Sequence, residues 1–183
     1  MSDRDEAAGA AGVRRRLDGV IAAALDEAEL EYTRHGEGRF LVGLPGTTRL
    51  QTPTWLIVGT HALLVGAFVC RHPDEGHEAV YGYLLRRNRL LYGVSYSLDR
   101  AGDIHLVGRL ALHSVTGDEI DRLLGQVLEA ADRDFNRLLR LGFATSIRRE
   151  WAWRVDRGES VANLGAFEDL APDDVTAEDR TDR

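Results

Sequence analysis

The segment CRHPDEGHEA, from Cys70 to Ala79, gathers residues of this sequence whose side chains could do chemistry. It contains the only cysteine of the chain, two histidines and three carboxylates. Thiolates, imidazoles and carboxylates are the usual ligands of zinc and common participants in acid–base catalysis. Cys70, His72 and His77 are therefore the candidate metal ligands. They define one hypothesis for the function, a metal-dependent sensor or enzyme.

The spacing within this segment favours a different interpretation. His72 and His77 are five positions apart, whereas the helical zinc motif places its two histidines four apart. Pro73 suits the first position of a helix, where its missing N–H costs nothing. Asp74 and Glu75 suit the first turn, beside the positive end of the helix dipole. The segment is therefore predicted to be the start of a helix that holds no catalytic residue and no cofactor.

Other catalytic patterns are missing from the sequence. No G-x-S-x-G marks a serine nucleophile, and the glycine-rich segments lack the spacing and the lysine of a phosphate-binding loop. His105 and His113 are in phase with Val107 and Arg109, which favours partly exposed strand residues over metal ligands. We therefore expect a protein that is not an enzyme.

The segment SIRREWAWRVDRG combines four arginines with two tryptophans, and three interpretations of it remain open. Arg148, Arg149 and Arg154 could bind nucleic acid while the tryptophans stack on bases. Trp151 could instead cover the core. Both Trp151 and Trp153 could contact a partner protein, since Trp and Arg are enriched in interfaces. Nucleic acid is the weaker of the two partner hypotheses.

The net charge of −7 lies at the two ends of the chain. Residues 1–12 carry −2 and residues 168–183 carry −5, so residues 13–167 are neutral. We predict disordered acidic tails at 1–12 and 168–183 around one domain at 13–167. A neutral domain has no general attraction to nucleic acid or to an anionic membrane.

Three observations bear on the location of the protein. No apolar run approaches the length of a membrane span, and the acidic N-terminus does not resemble a signal peptide. A single cysteine cannot form an internal disulfide. The sequence thus predicts a cytoplasmic protein with no membrane partner.

Hydrophobic periodicity predicts the element order α-β-β-β-α-β-β-α(α). Helices are expected over 13–32, 73–89 and 118–141, and a further one capped by Ser146. The segments RFLVGL, TWLIVGT and ALLVGAFVC read as strands, the last two joined around Thr60 and His61, and LYGVSYSL and IHLVGRLAL read as a second hairpin. The predicted fold class is α+β, a mostly antiparallel five-stranded sheet flanked by helices.

Several long phrases resemble the YbjN family as it occurs in actinobacteria. They are RLQTPTWLIVG, FVCRHPDEGHEAVYGYLLRRN, GDIHLVGRL and IRREWAWRVDRGES, and the resemblance covers residues 13–167. The family is similar in fold to the class I type III secretion chaperones. This resemblance implies a twisted antiparallel sheet flanked by helices, usually paired into dimers. It implies no catalytic residues, and members are described as sensory-transduction regulators and as peptide-binding, chaperone-like proteins.

The resulting functional prediction is a non-enzymatic module that binds an unknown protein or peptide and acts as a small cytoplasmic homodimer. An apolar groove or a sheet edge would receive an extended segment of the partner. The candidate contact residues lie on the middle helix and in the Arg/Trp segment: Val80, Tyr83, Leu84, Arg148, Arg149, Trp151 and Trp153.

Overall fold

A computed structural model of the protein describes residues 3–172, with side chains from Gly9 onward. None of the helices within these residues is both long enough and apolar enough to cross a membrane. The elements are α1 (Asp3–Glu27), β1 (Tyr32–Arg34), β2 (Arg39–Pro45), β3 (Gln51–Val58), β4 (Ala62–Cys70), α2 (His77–Asn88), β5 (Val94–Leu98), β6 (Ile104–Ala111), a 3-10 turn (Leu112–Ser114), α3 (Gly117–Gly142), α4 (Ala144–Asp156) and a 3-10 segment (Ala162–Leu170).

The chain folds into two compact units. Unit 1 comprises the residues up to His72 together with Tyr83–Phe135, and it contains the whole sheet. Unit 2 comprises Pro73–Gly82 and the residues from Asn136 onward. The helices α2 and α3 each contribute residues to both units.

The sheet has six antiparallel strands in the order β1-β2-β3-β4-β6-β5, one more than the five predicted. The additional strand is β1, whose first residue, Tyr32, falls in the predicted helix 13–32 and whose other two residues lie outside every predicted element. Glu29, with φ of 52°, adopts a left-handed conformation just after α1 ends. The hairpin predicted around Thr60 and His61 is present between β3 and β4. The α+β class, with an antiparallel sheet flanked by helices, is confirmed.

One face of the sheet forms the core of unit 1. Alternate strand residues on this face are buried because successive strand side chains point to opposite faces. Helix α1 contributes Leu17, Ile21 and Leu25, which share one face through their four-residue spacing. Each fully buried side chain of this size contributes about 1.5–3 kcal/mol before chain entropy is counted. The sheet contributes Phe40, Val42, Leu44, Leu56, Val58, Leu63, Val65, Ala67, Val94, Ile104 and Leu106.

Several helix boundaries differ from the predictions. α1 begins at Asp3, so residues 3–12, predicted as a disordered tail, are helical. α2 begins at His77 rather than at Pro73, and α4 begins at Ala144 without a side-chain cap from Ser146. The predicted C-terminal tail overlaps the last 3-10 segment, and its residues 173–183 lie outside the described part of the chain.

Candidate functional site

The second face of the sheet is apolar and partly exposed to solvent, and we call it the open face. Trp55 is 36% exposed and Leu64 is 37% exposed, although both lie within strands. Apolar strand residues on both faces distinguish this sheet from one with a fully polar outer surface. The open face includes Thr33, Arg39, Leu41, Gly43, Pro53, Trp55, Ile57, Leu64, Gly66, Phe68, His105, Val107 and Arg109, with Gln51, Ser95 and Ser97 toward its ends.

Gly66 creates a hollow in the centre of the open face. It lies directly opposite Trp55 on one side and Val107 on the other. A Cβ atom at position 66 would meet no atom within 4 Å. Leu64 and Phe68 precede and follow the glycine on the same side of β4, so the hollow is part of a groove of about 720 Å³. This volume falls within the range of ligand-binding clefts.

Two histidines pack against the aromatic rings of the open face. The rings of His35 and Trp55 are 4.9 Å apart between centroids, and those of His105 and Phe68 are 5.5 Å apart in an edge-on arrangement. His105 Nε2 lies 3.5 Å from Asp99 Oδ2, which is too long for a good hydrogen bond. These contacts fix the positions of the two rings that border the groove.

Arg49 secures the end of β4, where the strand register shifts between Phe68 and Cys70. Its Nη1 donates to the carbonyl oxygens of Phe68 and Val69, at 2.7 and 2.8 Å. Burial lowers the pKa of the guanidinium, although a group with an ordinary value of 12.5 remains charged at neutral pH. Arg49 therefore satisfies the carbonyls that the strand irregularity leaves unpaired.

Asp132 on α3 holds the loop between β2 and β3. Its carboxylate accepts hydrogen bonds from the Thr47 hydroxyl and from the backbone N–H groups of Thr47, Thr48 and Arg49, at 2.6 to 3.1 Å. Desolvation alone would raise its pKa, but these hydrogen bonds together lower the pKa to about 2. The loop that carries Arg49 is thus fixed by a carboxylate that is ionised at neutral pH.

Asp134 is the centre of a buried polar network in unit 1. The carboxylate is 1% exposed and accepts hydrogen bonds from Tyr83 Oη at 2.7 Å, Arg87 Nε at 2.7 Å and Tyr96 Oη at 2.8 Å. The hydrogen bond to Asp134 raises the pKa of Arg87, while burial and the nearby carboxylate raise the pKa of Tyr96. Asn88 also binds both backbone groups of Tyr96. Every polar group here has a structural partner.

The candidate metal ligands do not form a cluster. Cys70 is buried, and burial raises the pKa of its thiol to about 11, so the thiolate that a metal would need is scarce at neutral pH. The His72 backbone N–H donates to Asp103 Oδ1 at 2.7 Å, and His77 Nε2 lies 2.9 Å from the Pro73 carbonyl oxygen. Among residues 3–172 with described side chains, no three His, Cys, Asp or Glu are placed to hold a metal ion.

Two of the three carboxylates of the same segment, Asp74 and Glu75, serve α4 within unit 2, not the start of α2 as predicted. Glu75 accepts hydrogen bonds from the Thr145 backbone N–H and hydroxyl, at 2.6 and 2.9 Å, which lower the pKa of Glu75. Asp74 accepts one from the Ser146 hydroxyl at 2.8 Å. A side chain at Gly76 would collide with the Leu141 carbonyl oxygen. Residues 71–76 of this segment are therefore a connector between β4 and α2, and its acids hold the first turn of another helix.

Three of the predicted partner-binding residues are buried. Val80, Leu84 and Trp151 are 0, 5 and 5% exposed, so they cannot contact a partner while the fold is intact. The hydroxyl of Tyr83 belongs to the Asp134 network. For Trp151 the buried side chain agrees with its role as a core residue, the second of the three interpretations.

The remaining predicted contact residues are exposed on α4. Trp153 is 43% exposed, and Arg148 and Arg149 are exposed on the same helix. Arg157 lies 4.7 Å from the centre of the Trp153 ring. Their role as partner contacts stays a prediction.

The open face as a binding site is not among the predictions made from the sequence. A signal was present, because TWLIVG and ALLVGAFV carry apolar residues at both odd and even positions. Such continuous apolar runs indicate strands with two apolar faces. Periodicity alone does not tell whether the second face is covered.

A model of the YbjN family, described as "Putative bacterial sensory transduction regulator", matches residues 18–140, which is more than half of the chain. The chain belongs to the YbjN family. The matched YbjN region contains all six strands and therefore the whole open face.

Mycobacterial proteins are similar to this YbjN chain over most of their length. Uncharacterized protein Rv0487 of Mycobacterium tuberculosis (strain ATCC 25618 / H37Rv) is 52% identical over 169 residues, which cover 90% of this chain and 92% of that protein. Uncharacterized protein ML2442 of Mycobacterium leprae (strain TN) is 55% identical over 160 residues, which cover 85% of this chain and 87% of that protein. The predicted family is confirmed.

Solved structures share the YbjN fold at low sequence identity. The ExsC–ExsE complex matches with a TM-score of 0.52 and 14% identity, over 68% of this chain and 95% of that chain. The Yersinia pestis type III secretion chaperone SycH, in complex with a stable fragment of YscM2, matches with a TM-score of 0.46 and 15% identity. The match covers 63% of this chain and 96% of that chain. At these identities the likeness concerns the fold alone.

Proposed function

We propose that the protein is a non-enzymatic, chaperone-like or regulatory module that binds a segment of another protein on the open face of its sheet. The observation that carries this proposal is the exposure of Trp55 and Leu64 beside the hollow at Gly66. Exposed apolar surface is kept at a cost in solubility, and contiguous patches of it usually mark interaction sites. A groove bordered by aromatic rings fits the side chains of an extended peptide.

Comparison with known structures supports a protein partner. The structural neighbour with a TM-score of 0.52 was solved as a complex of two proteins, ExsC and ExsE. This observation favours a protein ligand over a small metabolite.

The chemistry of the polar groups supports a non-enzymatic role. Asp132 and Asp134 each accept three or more hydrogen bonds that hold the fold together. The Cys70 thiol is buried and protonated at neutral pH. Catalytic acids and nucleophiles need a substrate-accessible position and a pKa matched to their task.

Site-specific photo-cross-linking tests the proposal directly. Benzoylphenylalanine would replace Leu64 on the open face, and in a control chain it would replace Leu50, which is 91% exposed in the loop after β2. Irradiation of the native host cells should yield an adduct with another protein at position 64 and none at position 50. Equal adducts at both positions, or none at position 64, would contradict the proposal.

We further propose that the protein acts as a cytoplasmic homodimer through a second apolar surface. Leu85 on α2 is 71% exposed, and Leu90 and Tyr92, between α2 and β5, are 67 and 65% exposed. The single cysteine is a free thiol, as is usual in the reducing cytoplasm. Light scattering should give twice the mass of the chain, and Leu85→Glu should give the mass of a monomer, whereas Leu50→Glu should not. A native monomer would contradict the dimer without affecting the proposed open face.

A further inference from the structure

The strands of this sheet contain positive charges and no negative ones. The chain has 30 acidic residues, yet none of them lies in any of the six strands. The strands contain three arginines, and one of these, Arg34, pairs with Asp18 at 3.0 Å. The other two, Arg39 and Arg109, both lie on the open face.

Arg39 and Arg109 occupy the two ends of a single row across the sheet. Arg39 is directly opposite Ile57, Ile57 is opposite Leu64, and Leu64 is opposite Arg109. Both arginines are exposed, and neither forms an ion pair with a carboxylate in the described part of the chain. Neighbouring strands lie about 4.8 Å apart, so three steps separate the two ends of the row by roughly 14 Å.

An extended peptide reproduces this spacing when it crosses the strands. Residues i and i+4 of an extended chain point to the same side and lie roughly 13 Å apart, with residue i+2 midway between them. Acidic side chains at i and i+4 would therefore reach the two arginines, and an apolar side chain at i+2 would rest on Ile57 and Leu64. The hollow at Gly66 lies next to this row and could receive a second apolar side chain.

We propose that the open face selects extended segments of the pattern acid-x-apolar-x-acid, whose two carboxylates pair with Arg39 and Arg109. This inference rests on the proposed function and adds the chemistry of the partner to it. Charge complementarity decides the occupant, because neither Arg39 nor Arg109 has a carboxylate partner among the described residues. The acidic residues near the face lie elsewhere: Asp99 is next to His105, and Glu31 is beside Thr33 and Leu41. A nucleic acid fits less well, since two arginines flank a mainly apolar centre.

Three synthetic peptides of one length provide the probes. They contain two copies of Glu-Thr-Leu-Thr-Glu, Gln-Thr-Leu-Thr-Gln or Arg-Thr-Leu-Thr-Arg, and each would be titrated into the full chain at low salt while NMR follows the Trp55 indole and the Leu64 methyl groups. The Glu peptide should bind about fivefold more tightly than the Gln peptide, because each exposed ion pair contributes up to a few-fold. The Arg peptide should bind most weakly, and salt should reduce the difference.

Two double variants that remove the same charge test whether Arg39 and Arg109 cause the preference for the Glu peptide. Arg39→Gln combined with Arg109→Gln should abolish the preference for the Glu peptide while leaving the Gln peptide affinity unchanged. Arg86→Gln combined with Arg89→Gln removes the same charge from exposed positions outside the strands and should keep the fivefold preference. A preference that persists in the first variant, or disappears in the second, would overturn the inference.

The remaining outcomes separate this inference from the proposed function. Equal binding of the Glu and Gln peptides at Trp55 and Leu64 would overturn the charge selectivity and leave the proposed function standing. No binding of any peptide would overturn the inference, and the cross-linking at position 64 would then decide the proposed function. If oligo-dT binds more tightly than any of the three peptides, and this binding is lost in the Arg39/Arg109 variant, the open face would be assigned to nucleic acid. If the NMR signals of Trp55 and Leu64 shift with protein concentration and not with added peptide, the open face would be assigned to a second copy of the chain.

Discussion

Trp55 on β3 lies directly opposite Gly66 on β4, so a large exposed side chain of the open face stands beside a position that has no side chain. This pairing turns an apolar sheet surface into a groove. A strand glycine weakens a sheet because it packs against nothing and loses more chain entropy on folding. Its presence at the centre of an exposed apolar face is explained if the space above it is used by a partner.

The first prediction concerns the buried hydroxyl of Thr52. This side chain is 0% exposed, and its Oγ1 has no hydrogen-bond partner among the described residues. Thr52→Val should raise the free energy of unfolding by about 1 kcal/mol, because an unsatisfied buried hydroxyl is replaced by a methyl group. Thr54→Val is the matched control: its hydroxyl donates to the Thr52 carbonyl oxygen at 3.3 Å, so it should gain less. Urea unfolding checks both, and a destabilised Thr52→Val chain would refute the prediction.

The second prediction concerns the ion pair between Arg87 and Asp134. Asp134→Asn should destabilise the protein by about 3 kcal/mol, because it leaves a guanidinium that is only 12% exposed without its counter-charge. Replacing both residues by apolar ones, Arg87→Met with Asp134→Leu, should restore much of the loss. Arg133→Gln, which removes an exposed ion pair from the neighbouring position, should change the stability by less than about 0.5 kcal/mol. Similar losses for Asp134→Asn and Arg133→Gln would contradict this account.

The third prediction concerns the pH dependence that Asp132 contributes. Its pKa in the folded protein is about 2, below the ordinary value of 3.8, so its stabilising effect is complete above about pH 4 and is lost as the pH falls toward 2. Because the carboxylate is partly exposed to solvent, the effect at pH 7 should be about 1 kcal/mol. Unfolding of the native chain and of Asp132→Asn should differ by that amount at pH 7 and converge near pH 2. Asp121→Asn changes an exposed position on the same helix, and its difference in stability from the native chain should not change between pH 7 and pH 2.

Much of the sheet could be predicted because each strand carries its own signal. The alternation of Val94, Tyr96 and Leu98 is local, and so is the tight hairpin at Thr60 and His61. β1 was missed because three residues are too few for a periodic pattern, and Tyr32 continues the apolar spacing of α1. The extension of α1 to Asp3 was missed because its alanine- and acid-rich start has the composition of a solvated tail.

The site depends on relations that are not local in the sequence. Glu75 meets Thr145 across 70 positions, so its role at the start of α4 could not be derived from its neighbours. The burial of Val80 and Leu84 depends on the tertiary fold, because an apolar helix face serves a core and an interface equally well. The open face could not be predicted for the same reason. Its apolar composition can be seen in the strand sequences, but its exposure to solvent depends on where the helices pack.

The measurement that tests the open face most directly is photo-cross-linking at position 64 in a chain that also carries Gly66→Ile. Isoleucine favours strands, and a Cβ atom at this position meets no atom within 4 Å, so thermal unfolding should be unchanged or shifted to higher temperature. The added side chain fills the hollow beside Trp55, and the adduct with another protein should disappear. An equally stable Gly66→Ile chain that forms the adduct in undiminished yield would show that the groove is not where the partner binds.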